Sequence, residues 1–233
     1  MNESIQLPLF IDSGDKNEII KYLKMGLCHG VTTNPTILIK DGFTGGPEAI
    51  KKQMLEIAKL IQPYRLSVEL TQNDNAQSML AEAKDIISWG AANIDIKVPI
   101  HGPNGELDNL EVIHELENEH NIRVNCTAIM SAQQGLLAAL AGASYVSLFC
   151  GRVNNMGYDS REELKKLRIL LDQYGLKSKI IAASTREAIN IMEWILAGAH
   201  IVTVVPKFIE TMLVHPYSKE TVQMFLADAK KNR

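Results

Sequence analysis

Cysteine is scarce in this sequence, with three among 233 residues. Cys28, Cys126 and Cys150 are odd in number, and none stands in C-x-x-C spacing. That argues against a disulfide framework and predicts a reducing, cytoplasmic setting. The N-terminus lacks the basic-then-apolar pattern of a signal peptide. Long apolar runs are missing too. The most apolar stretch, Leu136 to Cys150, is broken by Gly142, Ser144 and Ser147 and is too short to span a bilayer. Charge of one sign does not accumulate: the formal net charge is −3, which argues against a nucleic-acid or membrane-surface partner. The pairs Lys51-Lys52, Lys165-Lys166 and Lys230-Lys231 read as solvated helix faces. His29, His101, His114, His120, His200 and His215 match no H-E-x-x-H or paired-ligand spacing. No G-x-G-x-x-G loop and no Ser/Pro/Gly-rich linker occurs.

What is present is ordinary globular composition, 46% hydrophobic and 22% charged, arranged in a repeating pattern. Short β-branched runs recur at Leu9–Ser13, Gly30–Asn34, Leu66–Leu70, Ile94–Pro99, Val124–Ile129, Tyr145–Phe149, Ile180–Ser184 and Ile201–Pro206. Each has the length of a buried strand and precedes a helix-like segment. Asp15-Lys16-Asn17-Glu18, Ser131-Ala132-Gln133-Gln134 and Ser160-Arg161-Glu162-Glu163 fit the capping-box pattern or its Asp variant. Gly90, Gly142 and Gly198 stand where helices should stop. Eight alternating units predict an α/β fold: one parallel (β/α)8 TIM barrel covering residues 1–233, with Ser218–Lys231 as an extra C-terminal helix. A doubly wound open sheet is the alternative, but it would normally bring the nucleotide-binding loop that is missing.

Strand side chains alternate, so parity shows which residues share the barrel interior. Thr32 with Asn34, Ser67 with Glu69, Asp95 with Lys97, Asn125 with Thr127, and Ser147 with Phe149 form such pairs near strand ends. Asp12 closes the first strand and Ser184 the seventh. Seven strands ending in polar residues predict a polar, ligand-sized mouth at the C-terminal end of the barrel.

Lys97 is the most telling residue in that mouth. A buried ammonium is costly unless it is paired or used, and a buried amine can serve as a nucleophile towards carbonyls. A lysine among carboxylates, hydroxyls and amides suits imine chemistry on a ketone. A divalent metal on Asp12 and Glu69 has no motif behind it, so neither metal nor cofactor is expected.

Gly30-Val31-Thr32-Thr33-Asn34-Pro35-Thr36 resembles the signature of transaldolases and the related fructose-6-phosphate aldolases. Ile96-Lys97-Val98-Pro99 resembles the segment that carries their Schiff-base lysine. Asn125-Cys126-Thr127-Ala128, Gln134-Gly135-Leu136-Leu137, Tyr145-Val146-Ser147 with Gly151-Arg152, and Ala182-Ala183-Ser184-Thr185-Arg186 follow in family order. Together they cover most of the chain, whose length matches the short transaldolase-like subfamily.

The resemblance implies residue roles. Lys97 would be the imine-forming nucleophile and Asp12 the proton-transfer carboxylate. Glu69 and Thr127 would hold the water that shuttles protons. Thr32, Asn34, Asn125 and Ser147 would bind the ketose backbone. Arg152, Ser184 and Arg186 would bind the substrate phosphate, for which arginine's planar fork is suited. Glu69, Asn125 and Phe149 match transaldolases, where the aldolases resemble one another in Gln, Leu and Tyr. The implied activity is metal-independent transfer of a dihydroxyacetone unit between sugar phosphates, as in the pentose phosphate pathway, by a pentameric or decameric homo-oligomer. A fructose-6-phosphate aldolase, an enzyme for another anionic ketose, and a non-catalytic sugar-phosphate-binding barrel are the alternatives. Asp95 departs from the family, which has an apolar residue there. If it faces Lys97 it would favour the charged amine; otherwise it pairs with another inward polar group or is turned outward by a bulge.

Overall fold

The structure, a computed structural model, describes residues 8–231. Eight strands run in parallel: β1 (Leu9–Asp12), β2 (Gly30–Thr32), β3 (Arg65–Glu69), β4 (Ile94–Pro99), β5 (Val124–Ile129), β6 (Tyr145–Leu148), β7 (Lys179–Ala182) and β8 (Ile201–Val204). Each pairs with the next in sequence, and β1 pairs with β8, so the barrel is closed. Closure leaves no free edge and gives every strand two neighbours.

The helices follow the strands: α1 (Lys16–Lys24), α2 (Pro35–Lys40) and α3 (Pro47–Ile61), α4 (Ala76–Ser88), α5 (Asp108–Asn118), α6 (Ala132–Leu140), α7 (Cys150–Asn155) and α8 (Ser160–Gln173), α9 (Ala188–Leu196), α10 (Pro206–Leu213), and α11 (Pro216–Lys231). Caps set many of their starts. Asp15 accepts from the Asn17 amide and Ser131 from the Gln134 amide, as their spacing predicts. The start of α8 is shifted by one residue from the sequence reading. Asp159 is the cap and accepts from the Arg161 amide, while Ser160 turns inward and is fully buried. A carboxylate satisfies the helix amides there, which frees the smaller serine for packing. Helices also end at Gly90, Gly142 and Gly198, all at positive φ as expected.

The main core lies between the sheet and its helical jacket. Met54, Ile57, Met79, Leu167 and Trp194 meet the outward strand residues Val31, Leu66, Ile96 and Val146 there. Each such side chain contributes about 1.5–3 kcal/mol by leaving water. Inside the barrel a second cluster forms from Phe10, Tyr145, Ile181 and Ile201. Phe10 and Tyr145 meet edge to face at 6.3 Å. Gly30 makes room for the Phe10 ring, since a Cβ there would lie 2.5 Å from it. The apolar plug fills part of the lower interior and leaves the upper interior to polar groups.

The extra C-terminal helix is present as α11, two residues longer at its start than the sequence reading. It buries none of its residues, and Tyr217, Val222, Phe225 and Leu226 are exposed on it. Among the described residues no helix is long and apolar enough to cross a membrane.

Candidate active site

Strand β4 delivers Lys97 to the upper interior, where the residue is 4% exposed. Its Nζ lies 3.1 Å from Glu69 Oε2 and donates to the Thr33 carbonyl at 3.1 Å. The parallel register produces this meeting: Glu69 on β3 stands beside Lys97, and Lys97 stands beside Asn125 on β5. Thr33, just past β2, is held by its own amide and hydroxyl to the Ser67 carbonyl. The amine therefore has one carboxylate and one fixed carbonyl around it.

Strand β5 brings two further groups. Asn125 is fully buried; its Nδ2 donates to Ser67 Oγ at 3.0 Å and its Oδ1 accepts from Ser147 Oγ at 2.7 Å. That chain ties β3, β5 and β6 together beneath the mouth. Thr127 Oγ1 is buried without a protein partner among the described residues. A buried hydroxyl in that condition calls for a small polar partner, which a water could supply.

On the opposite wall, Asp12 closes β1. Thr32 Oγ1 donates to Asp12 Oδ1 at 2.6 Å and lies 2.6 Å from Thr203 Oγ1 on β8. Burial of the Asp12 carboxyl raises its pKa above the usual carboxylate range. The Lys97 charge and the Thr32 hydrogen bond pull it back, while Asp41 and Glu69 push it further up. Asp41, at the C-terminus of α2, accepts from Ser13 Oγ and the Gly14 amide at 2.8 and 2.7 Å, fixing the turn that follows Asp12.

The corner between β6 and β7 is built by close backbone approach. Phe149 precedes α7, and the Arg152 guanidinium lies 5.3 Å from its ring centre. A Cβ on Gly151 would lie 1.7 Å from the Ser184 carbonyl oxygen and 2.9 Å from Arg186 Cγ. Only glycine permits that contact, and it places the start of α7, which carries Arg152, directly against Ser184 and Arg186. Ser184 takes a left-handed conformation, φ 66°. Arg152 and Arg186 are both exposed, with their charge open to an incoming anion.

Asn34 departs from its expected place. β2 ends at Thr32, and Asn34 caps α2 by accepting from the Ile37 amide at 2.9 Å. Its side-chain oxygen is thus engaged by the helix that starts at Pro35. Asp95 is turned away from the mouth. It is fully buried near the N-terminal end of β4 and accepts from Arg65 Nε at 2.9 Å and Arg123 Nε at 3.3 Å. Arg65 Nη2 also binds it closely. Of the readings open for Asp95, pairing with inward polar groups is the one found. Burial raises its pKa, against the pull of the two arginines.

Lys97, Glu69, Thr127 and Asp12 thus ring the same upper interior, and Arg152, Ser184 and Arg186 come together beside Phe149. Two concavities of about 380 and 370 Å³ lie elsewhere, on the outer face of α3 and between Arg65 and Arg123 at the N-terminal end of the barrel. Neither is lined by a residue of this ring. Among the described residues, no three His, Cys, Asp or Glu side chains converge as a metal-ligating group.

The description Transaldolase/Fructose-6-phosphate aldolase belongs to the family that matches residues 9–233. The chain belongs to the transaldolase/fructose-6-phosphate aldolase family. It is 35% identical over 222 residues to a probable transaldolase of Dehalococcoides mccartyi, covering 95% of this chain and 97% of that protein. A probable transaldolase of Chelativorans sp. is 36% identical over 225 residues, 97% of each chain. A probable transaldolase 2 of Listeria monocytogenes is 35% identical over 222 residues, 95% of each chain.

Membership in the transaldolase/fructose-6-phosphate aldolase family leaves several site residues that sequence reasoning passed over. Thr33 holds Lys97 through a carbonyl, which no side-chain pattern announces. Ser67 is placed inward with Glu69 by parity, and only its bond to Asn125, which follows from three-strand register, goes unannounced. Gly151 enters the sequence only as part of the Gly151-Arg152 motif, and its contact with Ser184 is visible only in space. Thr203 sits on an apolar-looking strand, Ile-Val-Thr-Val, where inward parity was its one signal.

Proposed function

We propose that this protein is a transaldolase that moves a dihydroxyacetone unit from a ketose phosphate, fructose 6-phosphate or sedoheptulose 7-phosphate, to an aldose phosphate. The observation that carries this reading is the buried Lys97 amine 3.1 Å from the Glu69 carboxylate at the barrel mouth. A charged ammonium cannot attack a carbonyl, and Glu69 is close enough to take its proton. The freed amine adds to the C2 ketone, and loss of water gives an iminium. The water that Glu69 and Thr127 would hold carries protons for this step. Asp12 then takes the C4 hydroxyl proton as the C3–C4 bond breaks. The bonding electrons pass into the iminium, leaving an enamine on Lys97, and the first aldose phosphate departs. A second aldose phosphate accepts the enamine carbon, Asp12 returns the proton, and hydrolysis frees the new ketose phosphate and Lys97. No metal or cofactor enters this cycle.

Arg152 and Arg186, with Ser184, bind the phosphate end of donor and acceptor. Asn125, Ser147 and Phe149 line the side of the ketose, and Thr32 at the end of β2 and Asn34 at the start of α2 support it. Thr32 does so through Asp12, to which its hydroxyl is committed. The exposed apolar residues of α11 are covered by a second copy of this chain in a cytoplasmic pentamer or decamer. That copy is the fitting occupant because the helix follows the barrel and buries none of its own residues.

A product assay tests the activity. Fructose 6-phosphate should turn over only when erythrose 4-phosphate is added, and borohydride should trap a three-carbon adduct on Lys97. Lys97→Met should abolish both. Acceptor-independent release of dihydroxyacetone would make the protein an aldolase, and an adduct on Lys207, in the first turn of α10 just past β8, instead of on Lys97 would overturn the site.

A further inference from the structure

We infer that Thr203 is a positioning residue for proton transfer, acting on Asp12 through Thr32. The inference rests on the proposed role of Asp12. Thr203 lies on β8 and is buried, in register with Phe10 and so two residues below Asp12 on the neighbouring strand. A hydroxyl has a single proton to give. Thr32 gives its proton to Asp12 Oδ1, and its oxygen, 2.6 Å from Thr203 Oγ1, then accepts the Thr203 proton. The chain therefore runs one way, from Thr203 to Thr32 to Asp12, and each donor strengthens the next.

Such a chain favours the ionised carboxylate, the form that can take a proton. The groups that face Asp12 act in different directions: Lys97 on β4 favours its charge, while Glu69 on β3 and Asp41 at the end of α2 oppose it. The help from Lys97 is intermittent, because its nitrogen is neutral as the attacking amine and as the enamine and positive only as ammonium or iminium. The two threonines act at every stage of the cycle. Thr203 is also held in place by its backbone. It pairs in register with Phe10 on β1, and its carbonyl accepts from Thr185 Oγ1 at 2.8 Å. Thr185 lies between Ser184 and Arg186, so one residue joins the proton-transfer carboxylate to the corner between β6 and β7.

Thr203→Val removes the hydroxyl and keeps the shape. Without the Thr203 hydroxyl, Thr32 still donates to Asp12 but is no longer polarised by a donor of its own, and Asp12 holds its proton to higher pH. The acidic limb of the pH–rate profile, identified as the limb lost in Asp12→Asn, should move up by about half to one pH unit. At neutral pH kcat should fall about three- to tenfold, for the loss of one hydrogen bond, with KM within about twofold. Thr203→Ser keeps the donor and should restore both quantities. The limb's position does not depend on how much enzyme is folded, so it separates this role from simple destabilisation, and Thr203→Ala should show the same shift. An unmoved limb in Thr203→Val and Thr203→Ala overturns the inference, as does an equal loss in Thr203→Ser, which would make the residue a packing element. If Asp12→Asn keeps the whole profile, the assignment of Asp12 itself fails, whatever Thr203 does.

Discussion

Asp95→Leu tests how the lower barrel is held together. The wild-type carboxylate is fully buried and shared by two guanidiniums, so it bridges β4 to the starts of β3 and β5. Removing one partner of a buried ion pair typically costs about 3–5 kcal/mol. Two features reduce that here. Arg65 keeps bonds to the Ala92 and Ile94 carbonyls, at 2.9 and 3.1 Å. Arg123 is 45% exposed and lies 5.1 Å from the Tyr145 ring centre, where water can replace the lost partner. The expected loss is therefore about 2 kcal/mol, or a Tm lower by about 4–8 °C for a chain of this size. Thermal unfolding followed by circular dichroism reads it. The triple variant Asp95→Leu, Arg65→Met, Arg123→Met should regain most of the loss, since apolar packing often equals a buried ion cluster. Borohydride trapping on Lys97 should keep its pH dependence in folded Asp95→Leu, because the carboxylate is already engaged by arginine. An unchanged Tm would refute the structural role, and a shifted trapping profile would show that the Asp95 charge reaches Lys97.

Three other outcomes are expected. Arg152→Ala and Arg186→Ala should each raise KM for phosphorylated substrates by one to two orders of magnitude, roughly 1.5–3 kcal/mol per charge-assisted contact. Trapping of unphosphorylated dihydroxyacetone should be far less affected; equal losses would make the arginines structural. Glu69→Gln should form the imine more slowly, for want of a base beside Lys97, and shift products from acceptor-dependent transfer towards free dihydroxyacetone, so an unchanged product ratio would remove the main support for transaldolase over aldolase. His200, whose Nδ1 accepts from the Ile180 amide, has its pKa lowered by burial to about 4. The unfolded chain binds the His200 proton more readily, so stability from this residue is present above pH ~6.5 and drains away between ~6.5 and ~4. His200→Asn should flatten that part of a urea-midpoint profile.

The barrel was legible because strand-like runs recurred eight times and helix caps or stops marked several of the units, as at Asp15, Ser131 and Gly198. Lys97, Glu69 and Thr127 were legible as inward-parity residues near strand ends, where an ionisable group needs a reason. What parity could not supply was height within the barrel. Asp95 shares its face with Lys97 but sits low enough for Arg65 and Arg123 to claim it. Asn34 shares a face with Thr32 on paper, but Pro35 starts a helix and draws the asparagine into capping. Thr33, Ser67 and Thr203 act through neighbours on other strands, and single-strand periodicity carries no information about those contacts.

The glycine at position 151 also bears on how this barrel can be altered. The oxygen it leaves room for belongs to the main chain, which cannot swing aside as a side-chain tip can. Residues 149–155 and 183–187 are therefore one heritable module, although some thirty positions separate them in sequence. Chimeras that exchange a single one of these segments should misfit at position 151, whereas exchanging both keeps the joint. A change of preferred anion, by selection or by design, has its open route through Arg152 and Arg186, on a frame that stays constant beneath them.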